Sequence, residues 1–92
     1  MKINARIAGI IEGNPVNSEG AIELKDGATL KKFFKRADKE MGFKQKYFKK
    51  SLKQPVTPTI LINGDRAQLP EDMKRKLEEG DEISVVLPMS GG

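Results

Sequence analysis

Apolar side chains alternate along residues 2–11: Ile3, Ala5, Ile7, Gly9 and Ile11 fall on one face, and Lys2, Asn4, Arg6 and Ala8 on the other. A period of two marks a half-buried strand. Glu12-Gly13-Asn14-Pro15 is dense in turn formers. A second strand is expected around residues 21–25, with Ile22 and Leu24 facing inward. The connection reads as longer than a tight two-residue hairpin. Asp26-Gly27 closes this strand.

The period then changes. Thr29 is a helix N-cap candidate, and Leu30, Phe33, Phe34, Ala37 and Met41 recur at spacings of three and four. They make one apolar stripe on a helix, with Lys31, Lys32, Lys35 and Arg36 on the other side. Gly42 suits the position just past the helix end. Residues 43–57 fit no single period. Phe43, Tyr47, Phe48 and Leu52 are interspersed with Lys44, Lys46, Lys49, Lys50 and Lys53. Either a second amphipathic helix ending before Pro55 or a long excursion pinned by its aromatics satisfies that pattern.

After Pro58, Thr59-Ile60-Leu61-Ile62 is a continuous apolar run, as expected of a strand covered on both faces or nearly so. Asn63-Gly64-Asp65 is a turn signal. Leu69-Pro70-Glu71-Asp72 opens a short helical turn, with Met73 and Leu77 inward. Gly80-Asp81 leads into a last strand, where Ile83, Val85 and Leu87 alternate with Glu82, Ser84 and Val86.

The order is strand, strand, helix, strand, short helix, strand, tail. It matches an α+β fold of the β-grasp (ubiquitin-like) type, a mixed sheet with one main helix. The last strand is expected mid-sheet beside the first. Residues 1–88 form the domain, and 89–92 a flexible C-terminal tail. Ninety-two residues close one modest core and no second.

Composition narrows the function. The chain contains no histidine, cysteine or tryptophan. His-based acid–base catalysis, thiol nucleophiles and the usual zinc sites are therefore excluded. The carboxylates lie in mixed-charge sequence such as Glu71-Asp72 and Glu78-Glu79 and read as solvated faces. An independent enzyme is not expected, nor a bound cofactor or metal. No apolar run reaches the roughly 20 residues of a membrane span. Met1-Lys2-Ile3-Asn4-Ala5-Arg6 lacks the uninterrupted apolar region of a signal peptide, and without cysteine there is no disulfide framework to suggest secretion, so a cytoplasmic location is the expected default.

Charge is unevenly placed. Residues 31–53 hold ten Lys or Arg against Asp38 and Glu40, a local balance of +8 in a chain of net +4. The plainest reading is a solvated lysine face whose aromatics belong to the core. A second is docking of an acidic partner through Lys46, Lys49, Lys50 and Lys53. The least favoured is nucleic-acid binding, with Phe43, Tyr47 and Phe48 stacking on bases.

The chain ends in Ser90-Gly91-Gly92. Two glycines give a thin thread, able to enter a narrow channel and present a terminal carboxylate. Ile60-Leu61-Ile62-Asn63-Gly64-Asp65, then Glu79-Gly80-Asp81-Glu82-Ile83-Ser84-Val85-Val86-Leu87-Pro88 and Ser90-Gly91-Gly92, resembles the ubiquitin-like sulfur-carrier family of MoaD/ThiS type. That family includes the small subunit of molybdopterin synthase and the thiamine-pathway sulfur carrier. The departure is residues 43–57, longer and more basic than the family's usual linker.

The resemblance implies a role for the tail. The Gly92 carboxylate would be adenylated by an E1-like, ATP-using enzyme, and sulfur from a persulfide donor would displace AMP to leave a thiocarboxylate. The thiocarboxylate would give its sulfur to an acceptor enzyme of cofactor biosynthesis, the molybdopterin synthase large subunit being the first candidate. ATP would belong to the activating enzyme. Gly91, Ser90, Met89 and Pro88 would form the access neck. Two alternatives are a ubiquitin-like modifier joined through Gly92 to lysines, and a non-covalent β-grasp binding module.

Overall fold

The fold was obtained as a computed structural model describing residues 1–88. Glu12 and Gly13 both take positive φ, 50° and 80°, the signature of a type I′ hairpin turn. They join β1 (Lys2–Ile11) to an antiparallel β2 (Asn14–Glu23). This corrects two expectations: the connection is a tight two-residue turn, and the second strand starts well before residue 21. Asn14 and Pro15 belong to the strand, Pro15 opposite Ile10. β2 is a sheet edge, where proline's missing N–H is tolerated. Its first half is mostly polar, with Val16 alone buried before Ile22. An exposed edge strand gives little hydrophobic signal to read.

α1 (Leu30–Met41) buries Leu30, Phe33, Phe34 and Ala37. Its cap is as expected: the Thr29 hydroxyl accepts from the Lys32 N–H at 3.3 Å, and Gly42 ends the helix at φ 75°. Residues 43–57 contain a one-turn-and-a-half helix, α2 (Tyr47–Ser51). β3 (Thr59–Ile62) turns through Asn63 and Gly64, again both at positive φ, into a two-residue β4 (Asp65–Arg66). A short 3-10 helix spans Glu71–Lys74, and β5 spans Glu82–Val86.

The sheet order is β2-β1-β5-β3-β4. β5 is central, parallel to β1 and antiparallel to β3. This is the mixed sheet and single main helix of a β-grasp. β3 departs from expectation, since only alternate residues, Ile60 and Ile62, are fully buried. One face of β3 is covered, and Leu61 lies partly open on the other.

Ile3, Ile7, Ile22, Leu24, Leu30, Phe33, Phe34, Ala37, Ile60, Ile62, Ile83 and Val85 share one core. Phe48 joins them at 0% exposure. Its ring meets Phe33 edge-on at 5.5 Å and stacks on Phe43 at 6.0 Å, arrangements that add to simple area burial. α2 is thus held to the domain by an aromatic side chain inserted beside the main helix.

Candidate functional site

The carboxyl end of β5 is where the chain leaves the sheet. Ile83 and Val85 point into the core, and Leu87 continues their alternation at 2% exposure. The Leu87 N–H donates to the Ala8 carbonyl at 2.8 Å, extending the parallel ladder one step past the strand. Gly9 lies beneath it with φ 136°, and a Cβ there would fall 2.7 Å from both the Leu87 Cβ and carbonyl oxygen. Only glycine lets the two backbones come this close. Pro88 follows, exposed.

A cleft of about 410 Å³ opens beside this exit, lined chiefly by Ile10, Pro55, Val56, Leu87 and Pro88. Val56 is 59% exposed, an uncovered apolar side chain next to the point where the tail departs. On the open face of the sheet, Val86 pairs with Ala8 and is also exposed.

The other end of β5 is clamped. The Asn63 side chain donates to Asp81 Oδ1 at 2.8 Å and accepts from the Glu82 N–H at 2.9 Å. Asp81 Oδ2 accepts from the Glu78 N–H at 2.8 Å. The Asn-Gly turn and the Gly-Asp strand start, which carried the resemblance, are therefore one hydrogen-bonded unit setting the start of β5. Burying a carboxylate requires such partners, and Asp81 is 9% exposed.

Asp38 is the second buried acid, at 4% exposure, where the carboxylates had been expected on solvated faces. Its Oδ1 accepts from the Phe48 N–H at 2.8 Å, and Oδ2 from the Lys49 N–H at 3.1 Å. Lys46 precedes α2 with positive φ and gives no side-chain cap. The last turn of α1 therefore caps α2 across the intervening loop. A signal was present, since position 38 falls four residues after Phe34 and next to Ala37 on the apolar stripe. An acid on a buried stripe requires donors from elsewhere.

The proposed docking lysines do not act alike. Lys46, Lys49 and Lys53 are exposed, whereas Lys50 pairs with Glu12 of the β1–β2 turn at 2.8 Å. The aromatics considered for base stacking are committed to the domain. Phe48 is in the core, and Phe43 and Tyr47 are half-buried and packed on each other at 5.2 Å. Met89, Ser90, Gly91 and Gly92 lie outside the described residues. No helix among the described residues is long and apolar enough to cross a membrane.

Chemically, the arrangement supplies a rigid stem and no reactive constellation among the described residues. Their side chains group no metal-binding cluster. No curated protein matches the chain. A comparison with protein families matches residues 1–92 to the ThiS family. With the β-grasp sheet, this places the chain in the ThiS family of small ubiquitin-like sulfur carriers, proteins that work with E1-like adenylating enzymes and acceptor enzymes.

Proposed function

We propose that this protein carries sulfur as a thiocarboxylate on Gly92. The observation that supports this most directly is the anchoring of Leu87 over Gly9, with Pro88, Met89 and Ser90 between it and the diglycine. A carboxylate is a poor electrophile. Attack by Gly92 on the α-phosphate of ATP, releasing pyrophosphate, makes an acyl adenylate. The terminal sulfur of a donor persulfide then forms the C–S bond as the C–O bond to AMP breaks, giving an acyl disulfide. A second thiolate of the donor system attacks the donor's sulfur, so that the S–S bond breaks to leave the thiocarboxylate on Gly92 and a disulfide on the donor. Gly91 gives the tail the thinness to enter the activating site, and Pro88, Met89 and Ser90 serve as its neck. Four residues follow Pro88, and at full extension they reach about 14 Å. An activating enzyme that takes up this tail meets the apolar cleft at Val56, which Leu87 and Pro88 also line. The acceptor is an enzyme of cofactor assembly, with the molybdopterin type the first to be assayed.

Deleting Gly92, or Gly91→Phe, should leave the melting curve in place, since chain ends make few stabilising contacts. The same changes should abolish ATP–pyrophosphate exchange by the cognate activating enzyme. The parent chain, given ATP, that enzyme and a sulfur donor, should gain the mass difference between sulfur and oxygen. Undiminished activity after removal of Gly91 and Gly92 overturns the proposal. Stable adducts on lysines of other proteins, without thiocarboxylate turnover, would reassign the tail to protein modification.

A further inference from the structure

The basic segment and the main helix meet at a second cleft, on the helical side of the sheet. It has a volume of about 220 Å³ and a floor made by Phe34, Leu52 and Met73. Lys31 and Lys35 of α1 border it, together with Lys49 of α2 and Lys53 just beyond. Phe34 is buried, while Leu52 and Met73 remain partly open.

None of those four lysines has an ion-pair partner among the described residues. Among the described residues, the side-chain ion pairs are Arg36 with Glu40 at 3.7 Å and Lys50 with Glu12 at 2.8 Å, and none involves Lys31, Lys35, Lys49 or Lys53. Core packing does not need lysine at any of these positions, since all four are exposed. Gathering like charges around an apolar hollow raises the energy of the free domain. A ligand carrying the opposite charge relieves that repulsion. The aliphatic stems of the lysines extend the apolar floor toward the rim, and their ammonium groups stand at its edge.

We propose that this cleft docks an acidic, amphipathic segment of a partner protein. One apolar side chain of the segment seats on Phe34, Leu52 and Met73, and its flanking carboxylates meet the ring of ammonium groups. The site favours a peptide over single-stranded nucleic acid because it offers no open aromatic face: Phe34 is 3% exposed and Phe48 0%. Its position gives the docking a use. Leu52 and Lys53 run directly into Gln54, Pro55 and Val56, which wall the cleft at the tail exit. A partner held here is therefore close to the chain's departing end. The site does not depend on tail chemistry and is testable without it.

A synthetic helical peptide with a leucine stripe flanked by glutamates serves as probe, titrated into the full chain and followed by side-chain NMR. Its counterpart with glutamine for glutamate is the control, and single-stranded oligodeoxythymidine is the competing ligand. The acidic peptide should shift the Leu52 and Met73 methyl signals. Affinity should fall at least about tenfold in Lys49→Glu with Lys53→Glu, and in Lys31→Glu with Lys35→Glu, and should weaken as salt rises. The milder Lys49→Gln with Lys53→Gln should lie between, and covers any disturbance of α2 by charge reversal. Lys25→Glu, away from the cleft, and loss of Gly91-Gly92 should both leave binding unchanged. Equal binding of the glutamine peptide, or shifts centred elsewhere, overturns the proposal. Tighter oligonucleotide binding, lost in the same variants, replaces it with a nucleic-acid site.

Discussion

The end of β5 and the segment around α2 are both short, and they are held in opposite ways. Leu87 is fixed by backbone: a ladder hydrogen bond to Ala8 and close approach to Gly9. α2 is fixed by side chains: the Phe48 ring among Phe33, Phe34 and Phe43, and the Asp38 carboxylate on two backbone N–H groups. Backbone anchoring leaves side chains outside the ladder available for a partner. Side-chain anchoring consumes the aromatics and leaves the lysines. The difference explains why the basic segment makes a charged rim and not a stacking platform.

The comparison can be tested from either side. Phe48→Ala should have the largest effect, about 3–5 kcal/mol of lost stability, because a fully buried ring is replaced by a cavity. Chemical denaturation measures it, and a midpoint equal to that of the parent would show that α2 only rests on the surface. Asp38→Ala should cost about 1.5–3 kcal/mol, the scale of hydrogen bonds to a charged group. Amide exchange should then show Phe48 and Lys49 deprotected while Leu87 stays protected. Gly9→Ala should do the reverse at about 1–3 kcal/mol, the scale of backbone strain at a positive φ. It should deprotect Leu87 and leave Phe48 protected. If both substitutions deprotect both sites equally, the two regions form one cooperative unit and the contrast between them fails.

Most of the fold was legible because most of it is periodic. Ile3, Ile7, Ile83 and Val85 declare strands by alternation, and Leu30 through Met41 declares a helix. The Asn63-Gly64 turn and Gly80-Asp81 could be read as a pair, although their mutual hydrogen bonds could not. What stayed hidden was non-local or non-hydrophobic. The first half of β2 carries polar residues because an edge strand needs few others. Glu12-Gly13 is not the usual Asn-Gly of a tight hairpin, so the turn looked looser than it is. Asp38 looked like surface charge because its donors, Phe48 and Lys49, lie ten and eleven positions on. The purpose of Gly9 depends on Leu87, nearly the whole chain away. Among the candidate site residues, Pro88 emerges at the exit of a braced strand, and Lys49 and Lys53 gather with Lys31 and Lys35, which sequence spacing alone could not bring together.

The central position of β5 also has a mechanical meaning. A partner that draws the chain into a channel pulls along the axis of Glu82–Val86. The ladder bonds to β1 on one side and β3 on the other run across that axis. The load is therefore shared by both rows in shear. At an edge position a single row would carry the load, and with the chain leaving sideways the bonds would break one after another, as in a zipper. Here the strand resists as a unit, and its far end is pegged by Asn63 and Asp81. Tension applied at Leu87 along this axis is thus met by the sheet as a whole before any one strand can peel away.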